Sequence, residues 1–178
     1  GPFHLMIGAH HLGAAGDPDA NVSVVLDGRP VARFSLSASQ LNAVHFVQLP
    51  DGLQGPGAFA HLTVESSSVD PGRPAPLAIR QFDAQPAQTA LWGFGEGWHE
   101  DEYVMESGAT WRWTSERAVI RIDGPAKAVR VTIRGESPLR YFGAAPIIKM
   151  TAAGQTLGEL RPTTDFRRSV LEIGRAHV

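Results

Sequence analysis

The feature that most constrains this chain is an apolar–polar alternation of period two, interrupted by turn-forming residues. Val22, Val24 and Leu26 occupy every second position, Asp27-Gly28 follows at once, and Val31, Phe34 and Leu36 return. Side chains of an extended strand point alternately to opposite faces, so this spacing gives one apolar face. Glycine accepts the positive φ that a two-residue turn requires. The segment therefore predicts a β-hairpin. Val129, Val131 and Ile133 alternate with Arg130, Thr132 and Arg134, and Ala118, Ile120 and Ile122 alternate likewise. Further strands are predicted at 3–12, 44–47, 61–66 and 77–82, the last with Leu77, Ile79 and Gln81 on one face. Another hairpin is predicted around Ala153-Gly154, from Ile148 and Met150 to Leu157 and Leu160. No stretch of ten or more residues carries the stripe of an amphipathic helix. The expected fold is all-β, an antiparallel β-sandwich.

The chain also resembles itself. With Gly28 laid on Gly154, and no gap, Leu5 falls on Val131, Ile7 on Ile133, Val22 on Ile148, Val24 on Met150, Val31 on Leu157 and Phe34 on Leu160. Any two hairpins share alternation and a turn glycine, but here both loop lengths are kept as well, which argues for a duplicated domain. The expectation is a pair of tandem truncated units. Residues 1–86 would be the later part of one β-sandwich unit and 87–172 the opening part of the next, with 83–90 as an interdomain linker or crossover. Residues 173–178 (IGRAHV) read as a non-native tail, and Gly1-Pro2 as an arbitrary cut.

Composition excludes some classes of function. The 16 basic and 18 acidic residues are interspersed, so there is no basic face for nucleic acid. There is no cysteine, hence no disulfide framework and no thiolate metal site. No apolar run approaches the roughly 20 residues of a membrane-spanning helix, although a membrane-anchored parent chain stays open.

Candidate chemistry concentrates between Leu91 and Ile122. All four tryptophans lie there (Trp92, Trp98, Trp111, Trp113), with the acids Glu96, Glu100, Asp101, Glu102 and Glu106. Trp98, Trp111 and Trp113 could form a platform for sugar rings, with Glu100 and Arg112 bonding hydroxyls. The plainer reading is that Trp111 and Trp113 fill the core. Paired carboxylates can also hydrolyse glycosides when they face each other across a groove; a solvated acidic loop is the plainer reading there. A calcium ion would draw on Asp17, Asp19, Asp101 and Glu102, whereas the histidines form no zinc cluster. The glycines of GFGEG (93–97) should have neither a buried strand before them nor a helix after them, which speaks against a phosphate cradle.

The runs GWHEDEY, WRWTSERA and RGESPLRYF, with Gln81-Phe82-Asp83 just ahead of them, resemble extracytoplasmic β-sandwich domains of bacterial multi-pass, glycosyltransferase-like membrane proteins. The matching positions are Gly97, Trp98, His99, Glu100, Arg112, Trp113 and Ala118. The resemblance implies a jelly-roll or galactose-binding-like fold, contact with a glycan or lipid-linked sugar, and no catalytic residues. The expected function is thus a non-catalytic, carbohydrate-binding-like accessory domain with no cofactor. Its ligand-binding residues would be Trp98, His99, Glu100, Glu102, Trp111, Arg112 and Trp113. The alternatives are a structural spacer or protein-interaction domain, and a glycoside hydrolase fragment.

Overall fold

The computed structural model describes residues 2–40, 42–49, 59–124, 129–135, 137–162 and 169–176. Its strands are β1 (Phe3–His11), β2 (Ala20–Leu26), β3 (Arg29–Leu36), β4 (Ala43–Leu49), β5 (Leu62–Ser68), β6 (Leu77–Pro86), β7 (Leu91–Phe94), β8 (Trp98–Val104), β9 (Ala109–Thr114), β10 (Ile120–Asp123), β11 (Val129–Gly135), β12 (Ile148–Ala152), β13 (Gln155–Leu160) and β14 (Ser169–Ala176). A 3₁₀ turn, Leu139–Tyr141, precedes β12. The fold is all-β, and every strand pair among the described residues is antiparallel. Among the same residues, no helix is long and apolar enough to cross a membrane. The chain divides by compactness into Gly1–Pro125 and Ala126–Val178.

The first unit is built around β1. One sheet has the order β4-β1-β6 and another the order β3-β2-β5. Leu5, Ile7 and Ala9 point from β1 to the same side. There they share buried clusters with Val22 and Val24 of β2, Leu36 of β3, and Ala43 and Val47 of β4. Two sheets that share a core in this way are compatible with a β-sandwich. Met6, on the opposite face of β1, packs with Val44 and Leu91, so β7 covers the outer side. A strand buried on both faces reads as a continuous apolar run, which explains why FHLMIGAHH does not alternate. Complete burial of a side chain such as Ile7 contributes about 1.5–3 kcal/mol.

The outer layer is a two-stranded pair, β7 with β10. It lies so close to β1 and β4 that a Cβ at Gly93 would stand 3.0 Å from Met6 Sδ and from Val44 Cγ1. His4, 1 % exposed, fastens it. Its Nε2 donates to the Thr89 carbonyl at 2.7 Å and its Nδ1 lies 3.2 Å from Asp123 Oδ2.

Three expectations need correction. The segment 83–90 is not all linker: β6 runs to Pro86, with Asp83 opposite Met6, Ala84 opposite Leu5 and Gln85 opposite His4. Ile79 and Gln81 do not share a face. They pair with the consecutive residues Ala9 and Gly8, so Arg80 is the extra residue of a β-bulge, and one extra residue reverses the facing of the rest of the strand. A buried strand does precede the later glycines of GFGEG, because β7 begins at the fully buried Leu91. The element after them is the strand β8, not a helix. Of the turn-rich stretch GLQGPGAFA (52–60), which reads as a loop, residues 52–58 lie outside the described residues.

In the second unit β11 pairs with β14 and β12 with β13. The pairing of these strands repeats that of the first unit at the offset that carries Gly28 to Gly154. Val22↔Phe34, Ser23↔Arg33, Val24↔Ala32, Val25↔Pro30 and Leu26↔Arg29 become Ile148↔Leu160, Lys149↔Glu159, Met150↔Gly158, Thr151↔Thr156 and Ala152↔Gln155. The bulge falls at the corresponding step in each, Val24/Val25 and Met150/Thr151. The turn dihedrals repeat too: φ is 47° at Asp27 and Ala153, 78° at Gly28 and 77° at Gly154. Likewise Leu5↔Val47 through Ala9↔Ala43 become Val131↔Ile173 through Gly135↔Ser169. Strand β14 takes in residues 173–176 of the segment read as a non-native tail.

Candidate functional site

All seven candidate ligand-binding residues lie in the ribbon formed by β8 and β9, and the pairing decides which of them meet. Asp101 stands opposite Arg112, Glu102 opposite Trp111, Tyr103 opposite Thr110 and Val104 opposite Ala109. Directly opposite residues of an antiparallel pair project to the same side. Glu102, Val104, Ala109, Trp111 and Trp113 therefore make one face, and Asp101, Tyr103, Thr110, Arg112 and Thr114 the other. Trp98 pairs with Thr114, with one extra residue of β8 between it and Asp101. That bulge turns Trp98 to the Arg112 side, away from Trp111 and Trp113.

The Trp98 side is a packed base. Phe94 lies 4.7 Å from the Trp98 ring and 5.1 Å, edge to face, from the Trp92 ring. The Arg112 guanidinium stands 4.9 Å over Phe94, near enough for cation–π attraction. It also donates to the His99 carbonyl at 3.2 Å and pairs with Asp101 at 3.3 Å. Gln81 clamps the backbone of Phe94 from both ends, accepting from its N–H at 2.8 Å and donating to its carbonyl at 2.9 Å. Asn42 Nδ2 donates to the Trp98 carbonyl. The Trp98 indole N–H is buried without a partner among the described residues. Trp98 and Arg112 thus hold the ribbon to the rest of the first unit.

At the ribbon's entry Gly97 has φ 79°, a left-handed conformation that side chains oppose. A Cβ there would fall 1.8 Å from the Arg117 carbonyl oxygen. Close approach thus accounts for the glycine-rich run, to backbone at Gly95 and Gly97 and to the Met6 and Val44 side chains at Gly93.

The other face is open. Trp111 is 38 % and Trp113 39 % exposed, so neither fills the core. The Trp113 indole N–H donates to Glu102 Oε1 at 2.8 Å, which fixes both the ring and the carboxylate. Of the remaining candidates, His99 is exposed with Nε2 3.1 Å from Ser115 Oγ. Glu100 is exposed and pairs with Arg80 of β6 at 2.7 Å. Glu96, Glu100, Asp101 and Glu102 all lie at the surface, and the last three are engaged by three different partners. The hydrolase alternative gains nothing from that arrangement. The oxygens suggested for calcium do not converge: Asp17 pairs with Arg73, Asp101 with Arg112, and Glu102 bonds Trp113. Among the described residues no group of three or more potential ligands could hold a metal ion.

Sequence reasoning missed Phe94, Gln81, Asn42 and Arg80. Gln81 and Asn42 act across strands remote in sequence, and only the Trp-x-Phe spacing of Trp92 and Phe94 signalled a shared face.

Comparison of the chain with family models finds no match, and neither the curated proteins nor the solved structures yield one.

Proposed function

We propose that this chain is a non-catalytic, carbohydrate-binding-like accessory domain of a bacterial cell-envelope protein of the glycosyltransferase-like membrane class. In this reading it is extracytoplasmic and contacts a glycan or lipid-linked sugar. One observation carries the reading. Trp111 and Trp113 lie side by side on the open face of the β8–β9 ribbon, each more than a third exposed, with a carboxylate oriented beside them. Indole faces pack against the C–H faces of pyranose rings, and a fixed carboxylate accepts their hydroxyl protons. Trp98, His99, Glu100 and Arg112, first grouped with them, have a positioning role at the ribbon's base. The β-sandwich class and the domain duplication belong to the same reading. They are supported by the shared core of the two sheets and by the repeated strand registers.

Affinity gel electrophoresis over a panel of polysaccharides tests the reading. Retention of the full chain on at least one, lost in the Trp111→Ala/Trp113→Ala double variant, is the expected result. No retention on any polysaccharide refutes it.

A further inference from the structure

We infer that the open ribbon face takes a pyranose polymer bearing free, protonated amino groups, in preference to neutral or uronic-acid glycans. This rests on the carbohydrate-binding reading and specifies the ligand's charge.

Glu102 determines that charge. It stands opposite Trp111 in the register and bonds the Trp113 indole N–H through Oε1, so its carboxylate belongs to the aromatic face. A carboxylate has about four lone-pair positions, and Trp113 uses one. Carboxylates are acceptors only, and their strongest neutral-pH partners are cationic N–H groups. The flanking indole faces favour the same partner, since a cation within about 6 Å of an aromatic centroid is attracted by the ring quadrupole.

Among the described residues no basic side chain forms an ion pair with Glu102. From Glu96 to Glu116 the chain carries six acids (Glu96, Glu100, Asp101, Glu102, Glu106, Glu116) and a single basic residue, Arg112. Arg112 projects from the opposite face, onto Phe94 and Asp101. The nearby Arg80 pairs with Glu100. A uronate would therefore meet the Glu102 carboxylate, which no cation neutralises among the described residues. A neutral sugar would gain stacking and hydroxyl bonds but leave the carboxylate without a counter-charge. Trp111 and Trp113 are two residues apart on a strand, about 6.5–7 Å, which suits contact with neighbouring sugar rings of a chain and not one ring alone.

The test is a tryptophan-fluorescence titration of the full chain at pH 6 and about 0.15 M salt. The probes are a deacetylated glucosamine oligomer, its N-acetylated counterpart, an oligogalacturonate and polylysine. Deacetylated oligomer is expected to bind at least tenfold more tightly than the acetylated one, with no binding of the uronate. Glu102→Gln keeps an acceptor for Trp113 and removes the charge. It should erase the preference, so that the two oligomers bind the variant equally. Equal binding of both oligomers by the native chain overturns this inference but leaves the carbohydrate reading standing. Binding of polylysine as tight as that of the amino-glycan also overturns it, because charge alone would then suffice and the partner would be a basic protein. Failure of every glycan removes both readings.

Discussion

Gly97→Ala should loosen the ribbon from the rest of the first unit, and its cost can be worked from contacts. The residue sits at φ 79°, where a side chain costs about 1–2 kcal/mol. The added Cβ would lie 1.8 Å from Arg117 O, 2.7 Å from Arg117 C and 2.8 Å from Ala118 Cα. All three are main-chain atoms, so no rotamer change relieves the clash. The backbone must part by more than about 1 Å to restore a normal contact. Val119 lies just beyond; its N–H bonds the Glu96 carbonyl at 2.8 Å and its own carbonyl accepts from Gly95 at 2.8 Å. Losing these two hydrogen bonds adds about 1–3 kcal/mol, for a total of about 2–5 kcal/mol. Gly108→Ala is the matched control. Gly108 has φ 66°, but its Cβ would meet nothing within 4 Å, so only the conformational cost of about 1–2 kcal/mol applies. Urea unfolding followed by tryptophan fluorescence gives both values. If Gly97→Ala destabilises no more than Gly108→Ala, to within about 0.5 kcal/mol, the close approach at Arg117 has no energetic weight and the reasoning fails.

Three further outcomes rest on particular contacts. His45 stacks on Phe34 at 3.6 Å, with Nε2 buried and unpartnered among the described residues; burial, and secondarily the positive charge of Arg121, lower its pKa. The fold then favours the neutral ring, so the His45 contribution is complete above the ordinary value of about 6.5 and declines as pH falls below it. In urea titrations His45→Phe should lose less stability than the native chain between pH 7.5 and 5.5, and equal losses would remove His45 as the cause. His4→Ala removes both ring contacts that fasten the outer layer, to Thr89 and Asp123, and should cost about 2–4 kcal/mol in chemical denaturation; a cost below about 1 kcal/mol would show that the contacts carry little. Strand β1 is paired on both edges, whereas among the described residues β11 is paired only with β14. In hydrogen exchange every second amide of β11 should exchange far faster than the centre of β1, and uniform protection of both would contradict the pairing.

The two hairpins were readable because alternation and a turn glycine are local and because one face of each is apolar. Even their common register was available, since matching loop lengths fix the strand offset once the turn is placed. Strand β8 was not readable. In WHEDEYV every residue between Trp98 and Val104 is exposed, so no apolar alternation marks it, and its conformation comes from pairing with β9. Bulges account for the misgrouped residues. A regular strand would put Trp98 on the face of Glu102, and Ile79 on the face of Gln81. In each case one extra residue reverses the facing, and nothing local in the sequence announces it. The spacing of Trp111 and Trp113 predicted a shared face. That this face looks outward depends on the ribbon standing clear of the core, which period-two spacing alone does not determine.

A repeat period fixes the length of a copy but not where a copy starts, and packing bears on that second question. The sequence suggested a boundary after residue 86. Compactness puts one at Pro125/Ala126, and Gly1–Pro125 is almost one period long. Within that unit the first and last strands are joined, since His4 of β1 meets Asp123 of β10, and Leu91 of β7 completes the buried cluster of Met6 and Val44. Removing everything after residue 86 would uncover Met6 and Val44, now 5 % and 7 % exposed. It would also leave His4 buried against no partner or newly solvated. Exposing two such side chains costs about 3–6 kcal/mol, a large share of what holds a domain of this size together. A polypeptide of residues 1–125 should therefore unfold cooperatively, whereas residues 1–86 should show no cooperative transition. If 1–86 unfolds as cooperatively and at the same urea midpoint as 1–125, then β7–β10 contribute nothing to the first unit, and the boundary after residue 86 is the physical one.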